Sequence, residues 1–150
     1  MNRRKFLGLG LAAAVLVPAT TLNAIDFRKT KPDTWTAHNV DDAMKALFGD
    51  VKPTASDKIT LKVPKVASNG GAIPVTIRTD IEAKTVAVFQ DINPESAVAV
   101  FTVPEGGIVD YSVKIKMKAS GNIMVVIEDT AGKLHSVEKS LEVALGGCEG

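Results

Sequence analysis

The chain holds one cysteine, Cys148, and it lies among glycines near the end of the sequence. Because glycine has no Cβ, Gly146, Gly147 and Gly150 make this segment slim and open to backbone conformations that other residues avoid. The peptide units from Val143 to Cys148 span at most about 16 to 18 Å when fully extended. This pattern predicts a thiol that is presented to other molecules rather than packed in a core.

The neighbours of Cys148 do not activate it. A thiolate is stabilised by nearby cations or by a helix N-terminus, whereas Glu149 and the terminal carboxylate are negative. Such a cysteine suits a carrier, since the activating groups then belong to the enzymes that the carrier visits. An alternative is a structural subunit in which Cys148 forms an interchain disulfide, as an odd cysteine in an exported protein often does.

The sequence does not favour an enzyme. His38 and His135 lie in different predicted elements and have no metal-ligand spacing with Cys148. A cysteine–histidine nucleophilic pair would be poorly held by a terminal tail, and no glycine-rich loop joins a strand to a helix. A metal chaperone is the least favoured alternative, because Met44, Met117 and Met124 are scattered along the chain. We therefore predict no catalytic residue, no metal site and no cofactor.

Residues 1–24 have the pattern of a signal peptide. Arg3, Arg4 and Lys5 precede the uncharged run Phe6–Val17, and small residues follow before a cleavage site after Ala24 or Ala19. The twin arginine is typical of the Tat pathway, which exports folded proteins to the bacterial periplasm. Loss of residues 1–24 would take the formal net charge from +1 to −2. This balanced charge, with no basic and aromatic interleaving, argues against nucleic acid as a partner.

Residues 25–145 are predicted to form one domain, followed by the arm 146–150. The polar segment Asp26–Pro32 reads as an extended lead-in. Asn39 is placed to cap a short helix that ends before Gly49, with apolar residues at helical spacing. Trp35 is expected to pack beside this helix, although a binding role for Trp35 and His38 is the alternative.

From residue 59 onwards the apolar period is two, which is typical of strands with one solvent-facing side. Turn signals divide this part of the chain into seven short strands, and the fold class predicted is an all-β, immunoglobulin-like antiparallel sandwich. The strands are centred on Ile59–Val63, Ile73–Ile77, Thr85–Phe89, Ala97–Val103, Tyr111–Met117, Ile123–Glu128 and Leu134–Leu145.

The strand Ala97–Val103 differs from the others because it carries apolar residues on both faces. The alternation places Phe101 on one face and Val98 and Val100 on the other. Val98 and Val100, together with Val126, are therefore expected to contact either a partner chain or the amino-terminal helix.

The chain resembles the SoxY family, the sulfur-carrier subunits of the periplasmic thiosulfate-oxidation system. The resemblance is carried by the twin-arginine leader and by four further stretches, and the terminal one is the most specific because the family ends in Gly-Gly-Cys-Gly-Gly. These stretches are Val40–Gly49, Ser56–Thr76, Phe101–Met117 and Leu145–Gly150.

The resemblance implies that Cys148 is the covalent attachment point for sulfur intermediates and that Gly146, Gly147 and Gly150 form a swinging arm. It also implies a heterodimer with a SoxZ-like immunoglobulin-like subunit. The implied transient partners are a c-type cytochrome complex, a manganese-dependent hydrolase and a sulfane dehydrogenase. Glu149 departs from the family pattern, which has glycine there, and it adds bulk and negative charge beside the expected site.

Overall fold

The computed structural model describes residues 24–144. The two expected terminal segments, the signal peptide 1–24 and the arm 146–150, therefore lie almost wholly or wholly outside the described residues, and both stay predictions. Among residues 24–144, no helix is long and apolar enough to cross a membrane.

The amino-terminal part of the domain is helical. Asp26 accepts hydrogen bonds from the backbone N–H groups of Arg28 and Lys29 and so caps helix α1, Phe27–Thr30. A 3₁₀ helix, Pro32–Trp35, follows. The expectation of an extended lead-in over Asp26–Pro32 was wrong, since the cap and Pro32 at a helix start both favour a helical turn.

The predicted longer helix is confirmed as α2, Val40–Phe48. Asn39 caps it by accepting a hydrogen bond from the N–H of Asp42 over 2.8 Å. Gly49 ends it with a φ of 81°, a left-handed conformation that glycine adopts without a steric cost. Apolar residues at helical spacing line the face of α2 that packs against the sheet.

Between residues 24 and 144 nine strands form two sheets, which confirms the all-β sandwich. The larger sheet has the order β1-β9-β8-β5-β6 with β3 also on β9, and the smaller has the order β2-β4-β7. The seven expected strands are all present. The strands are β1 Thr54–Ala55, β2 Ile59–Lys62, β3 Val66–Ala67, β4 Ile73–Thr79, β5 Ala83–Gln90, β6 Ala97–Thr102, β7 Val109–Ile115, β8 Gly121–Asp129 and β9 Leu134–Val143.

Two short strands were not predicted. β1 and β3 have two residues each and pair with β9 in parallel. Two residues are too few to show a period of two, so their sequence carries no strand signal. β1 pairs with the beginning of β9 and β3 with its end, so the two short strands hold β9 at both ends.

The domain has two apolar clusters, one on each side of the larger sheet. Val86 and Val88 of β5 face the core between the sheets, and Ala87 and Phe89 face the cluster formed with α2. All four are fully buried. β5 is thus an inner strand of the larger sheet that is buried on both faces.

The faces of β6 differ from the expected alternation. A register shift between Val88 and Phe89 breaks the pairing of β5 with β6. As a result Val98 packs against the core between the sheets, together with Phe101, whereas Val100 packs against the α2 cluster. The amino-terminal helix, not a partner, covers Val126, which is fully buried in that cluster.

Candidate functional site: the base of the carboxy-terminal segment

The sequence predicts the reactive group at Cys148, which follows the last residue of β9, Val143, by five positions. Cys148 and the arm residues Gly146, Gly147, Glu149 and Gly150 lie outside the described residues. What the structure describes is the base of the segment, which ends at Ala144. The geometry of this base is therefore the part of the predicted site that the structure describes.

The end of β9 is held on the side of β3. Glu142 donates its backbone N–H to the carbonyl oxygen of Lys65, and Ala144 donates to that of Ala67, each over 2.9 Å. Because Ala67 is buried, these bonds anchor β9 to the body of the domain and not to a free loop. The chain is therefore hydrogen-bonded up to four residues before Cys148.

A second set of contacts holds β9 on the side of β8. Val143 donates its N–H to Oγ of Ser120 over 2.9 Å. Ser140 donates its hydroxyl to Oδ1 of Asn122, and Asn122 in turn donates its N–H and its side-chain amide to Asp91 over 2.8 and 2.7 Å. These contacts join β9 to β8, to the turn that holds Ser120 and to the loop that holds Asp91.

Gly121 allows this arrangement. A Cβ at Gly121 would lie 2.6 Å from Oδ1 of Asp91 and 3.2 Å from Cε of Met117. Both distances are too short for an ordinary contact, so the carboxylate of Asp91 reaches Asn122 only because residue 121 has no side chain.

Buried amides order the loop that carries Asp91. Gln90 is fully buried, donates to the carbonyl of Glu95 over 2.8 Å and accepts from the N–H groups of Ile92 and Asn93 over 2.7 Å. Asn93 then donates to the carbonyl of Lys116 over 2.7 Å and accepts from the N–H of Lys118 over 3.0 Å. Sequence reasoning missed this network, because Gln and Asn are common on surfaces and the spacing gives no signal.

The two histidines lie at opposite ends of the larger sheet, and each makes one hydrogen bond that links two segments of the domain. Nδ1 of His38 lies 2.8 Å from the carbonyl oxygen of Pro94, which follows β5. His135 contacts Asp129, at the opposite end of the larger sheet, through Nε2 and Oδ2 at 2.8 Å. Within residues 24–144 no group of three His, Cys, Asp or Glu side chains is placed to hold a metal ion.

Asp129 organises the turn between β8 and β9. Besides His135, it accepts hydrogen bonds from the N–H groups of Ala131 and Lys133 over 3.0 and 2.9 Å. The hydrogen bond from His135 is the main cause that lowers the pKa of Asp129 below its ordinary value, and the backbone donors act in the same direction. This pair braces a turn and is remote from the end of β9.

Trp35 has a structural role in the described part of the chain. Its Nε1–H donates to the carbonyl of Phe27 over 3.2 Å, and the guanidinium of Arg28 lies over its ring at 4.2 Å from the centroid. These contacts join the two amino-terminal helices.

A groove runs along the open side of the sandwich, where the edge strands β6 and β7 face each other. The rings of Phe101 and Tyr111 lie 5.0 Å apart across this seam. Half-buried Val100 and Val113 also line the groove. In the described residues the outer edges of β6 and β7 have no neighbouring strand, so this side of the domain offers both apolar surface and free backbone groups.

These features define a class of protein: an immunoglobulin-like β-sandwich whose last strand is clamped on both sides and leads into a short cysteine-containing tail. A family model described as sulfur oxidation protein SoxY matches residues 44–148. The chain therefore belongs to the SoxY family of sulfur oxidation proteins.

Comparison with solved structures agrees with this assignment. The sulfur carrier protein SoxY from Chlorobium limicola f thiosulfatophilum is 31% identical, with a TM-score of 0.64, and the match covers 70% of this chain and 96% of that one. No curated protein matches the sequence.

More distant structures share only the fold. Superoxide reductase (neelaredoxin) from Ignicoccus hospitalis is 14% identical, with a TM-score of 0.51 over 58% of this chain and 80% of that one. Superoxide reductase from Nanoarchaeum equitans is 16% identical, with a TM-score of 0.50, and the match covers 61% of this chain and 99% of that one.

Proposed function

We propose that this protein is a periplasmic sulfur carrier that holds sulfur intermediates covalently on Cys148 and presents them to partner enzymes. The observation that carries the proposal is the anchored end of β9. The hydrogen bonds of Val143 and Ala144 give the tail a fixed origin, and the four residues that follow Ala144 bring the single cysteine of the chain to it. Family membership and the 31% identity to a SoxY sulfur carrier support the same role.

The carrier contributes a thiol, and its partners supply the chemistry. Joining thiosulfate to Cys148 forms an S–S bond, releases the thiol proton and passes two electrons to an acceptor, for which a c-type cytochrome partner is suited. Water then attacks the terminal sulfonate sulfur, so that the persulfide stays on Cys148 and sulfate leaves; a manganese-dependent hydrolase is the proposed catalyst. A sulfane dehydrogenase would oxidise the remaining sulfur. The chain itself needs no catalytic residue or cofactor for these steps.

A SoxZ-like immunoglobulin-like subunit is the proposed stable partner. The groove between β6 and β7 supports this proposal, because its half-buried apolar side chains and free strand edges are suited to a second β-rich subunit. Export through a twin-arginine signal fits such a complex, since that pathway carries folded proteins. A periplasmic location is also compatible with the proposed role of Cys148, because a carried sulfur group would protect the thiol from other oxidants in that compartment.

Intact mass spectrometry tests the proposal. Protein isolated from thiosulfate-grown cells should carry mass additions that disappear on reduction and are absent from Cys148→Ser, whereas cells grown without thiosulfate provide the matched control. An unmodified mass under both conditions would contradict the carrier role. A disulfide-linked dimer on non-reducing gels, persisting in the presence of thiosulfate and partners, would instead indicate that Cys148 joins two subunits covalently.

A further inference from the structure

Two methionines that are far apart in the sequence line the same cavity. Met44 belongs to α2 and Met124 to β8, and both line a cavity of about 620 Å³ between α2, the loop that follows it and the strands β8 and β9. The cavity opens to solvent, because Gly49, Asp50 and Lys52 on its rim are exposed. Met44 and Met124 are each only partly buried. A small solute can therefore reach both side chains while the domain stays folded.

The same two side chains help to hold α2 on the larger sheet. Met44 lies between the buried residues Ala43 and Leu47, on the apolar face of the helix. Met124 comes from the sheet, where it pairs with the fully buried Phe89 of β5 on the face that α2 covers. Both methionines pack against the α2 cluster, to which these three buried residues belong. A polar group added to either sulfur would therefore disturb the contact between the helix and the sheet.

The third methionine between residues 24 and 144 has a different environment. Met117 is 1% exposed and packs in the core between the two sheets, on the side of the larger sheet that faces away from α2. Its side chain is closed to solvent. Because the three thioethers have the same intrinsic chemistry, a difference in their reactivity towards a small reagent reports on access. Met117 thus serves as an internal reference for Met44 and Met124.

We propose that Met44 and Met124 form a paired oxidation site through which hydrogen peroxide loosens α2 from the larger sheet. In each reaction the thioether sulfur attacks one peroxide oxygen, an S–O bond forms as the O–O bond breaks, and the products are methionine sulfoxide and water. The sulfur loses two electrons and the peroxide gains them. The sulfoxide oxygen is polar, so it either turns the side chain towards solvent or stays in the α2 cluster at a cost in free energy. Both outcomes weaken the packing of α2, and neither depends on the proposed carrier function.

Oxidation by hydrogen peroxide followed by peptide mapping tests the selectivity. Every form of the protein carries Cys148→Ser, so that the thiol does not consume peroxide. Mass spectrometry of peptides taken during the reaction should show Met44 and Met124 each gaining one oxygen atom about tenfold faster than Met117. Equal rates at all three methionines would show that oxidation follows opening of the whole domain, and this result would overturn the proposal.

Amide hydrogen exchange of the oxidised protein tests the loosening of α2. After oxidation of Met44 and Met124, exchange over Val40–Phe48 should become about tenfold faster, because local opening of the helix then costs less free energy. Exchange in β4, which lies in the smaller sheet, should change little. Unchanged exchange in α2 after full oxidation of both methionines would show that the helix tolerates the sulfoxides, and the proposal would be refuted.

Variants of the methionines complete the test. The double variant Met44→Leu, Met124→Leu keeps the apolar volume and removes both sulfurs, so peroxide should leave the exchange of α2 unchanged. The matched variant Met117→Leu retains the pair and should respond to peroxide as its parent does. Without peroxide, Met44→Gln should by itself speed exchange in α2, because it places a polar group where the sulfoxide would lie. A response to peroxide that persists in the double variant would assign the effect to other residues and overturn the proposal.

Discussion

Val143 donates its backbone N–H to the hydroxyl of Ser120 over 2.9 Å, one residue before the described chain ends at Ala144. This bond crosses from β9 to the turn that precedes β8. With the bond from Ala144 to the carbonyl of Ala67, it holds the last part of β9 from two sides. The described part of β9 therefore ends at a defined point, and changes at that point should loosen the end of the strand without unfolding the domain.

Ser120→Ala removes the bond to Val143. We expect the free energy of unfolding to fall by no more than about 1 kcal/mol, because Ser120 is exposed and water replaces the hydroxyl. Amide hydrogen exchange at Val143 and Ala144 should become about fivefold faster. Ser112→Ala, which removes a hydroxyl from the exposed face of β7, is the control. Unchanged exchange at Val143 would show that Ser120 does not anchor β9.

Gly121→Ala places a methyl group against Asp91 and Met117. We expect a loss of about 1 to 3 kcal/mol in the free energy of unfolding, the usual range for overpacking. Combined with Asp91→Ala, the loss should be smaller than the sum of the two single losses, since the second change removes the atom nearest to the new Cβ. Thermal unfolding measures all three variants. Gly71→Ala serves as the control, because its new Cβ would meet only the side chain of Asn69. If the losses caused by Gly121→Ala and Asp91→Ala add up fully in the double variant, the predicted clash is contradicted.

Asp129→Asn should make the free energy of unfolding of the domain less dependent on pH in the acid range. Because the bond from His135 lowers the pKa of Asp129, its ionised form stabilises the fold above the ordinary aspartate range, and this contribution is lost as the pH falls through the lowered pKa. The difference in free energy of unfolding between wild type and variant should have its full value above about pH 5 and shrink as the pH falls below about 4. Asp80→Asn, at an exposed position, is the control. A difference that does not change with pH would refute this role.

Val100→Glu should weaken assembly with the proposed SoxZ-like subunit. Val100 lines the groove and also packs against the α2 cluster, so a partner on the groove would have to desolvate the new carboxylate, and the check of the fold separates this effect from lost packing beside α2. Co-purification and size-exclusion chromatography measure the complex, and circular dichroism checks the fold. Thr60→Glu, on the exposed face of β2, adds the same charge away from the groove. Equal assembly of both variants would place the partner on another surface.

Glu149→Gly restores the glycine that the family has at this position. We expect faster loading of Cys148 by partner enzymes that accept an all-glycine arm, because bulk and negative charge beside the thiol are removed. Loading by thiosulfate in a reconstituted system, followed by intact mass, measures the rate. Glu142→Gln, in the clamped part of β9, is the control for loss of charge. A rate that stays the same or falls would count against a restrictive role for Glu149.

Local patterns were sufficient for most of the fold. The alternation of Tyr111, Val113 and Ile115 against Ser112 and Lys114 matches their burial, because strand geometry sends successive side chains to opposite faces. Asn39 and Gly49 marked the ends of α2 for an equally local reason. The prediction of a site at the cysteine, its glycines and Glu149 also rests on residue types alone, and it stays a prediction.

The other features depend on contacts between residues far apart in the chain. The register shift that turns Val98 towards the core arises from the pairing of β6 with β5, and no residue of β6 alone reveals it. The clamp at the end of β9 joins Lys65 and Ala67, in and beside β3, with Ser120, which precedes β8. Residue types and short-range periodicity thus indicated seven of the nine strands, helix α2 and the position of the thiol. Tertiary packing decided which segments meet the end of β9, because hydrogen bonds across such sequence distances form only once the sheets have assembled.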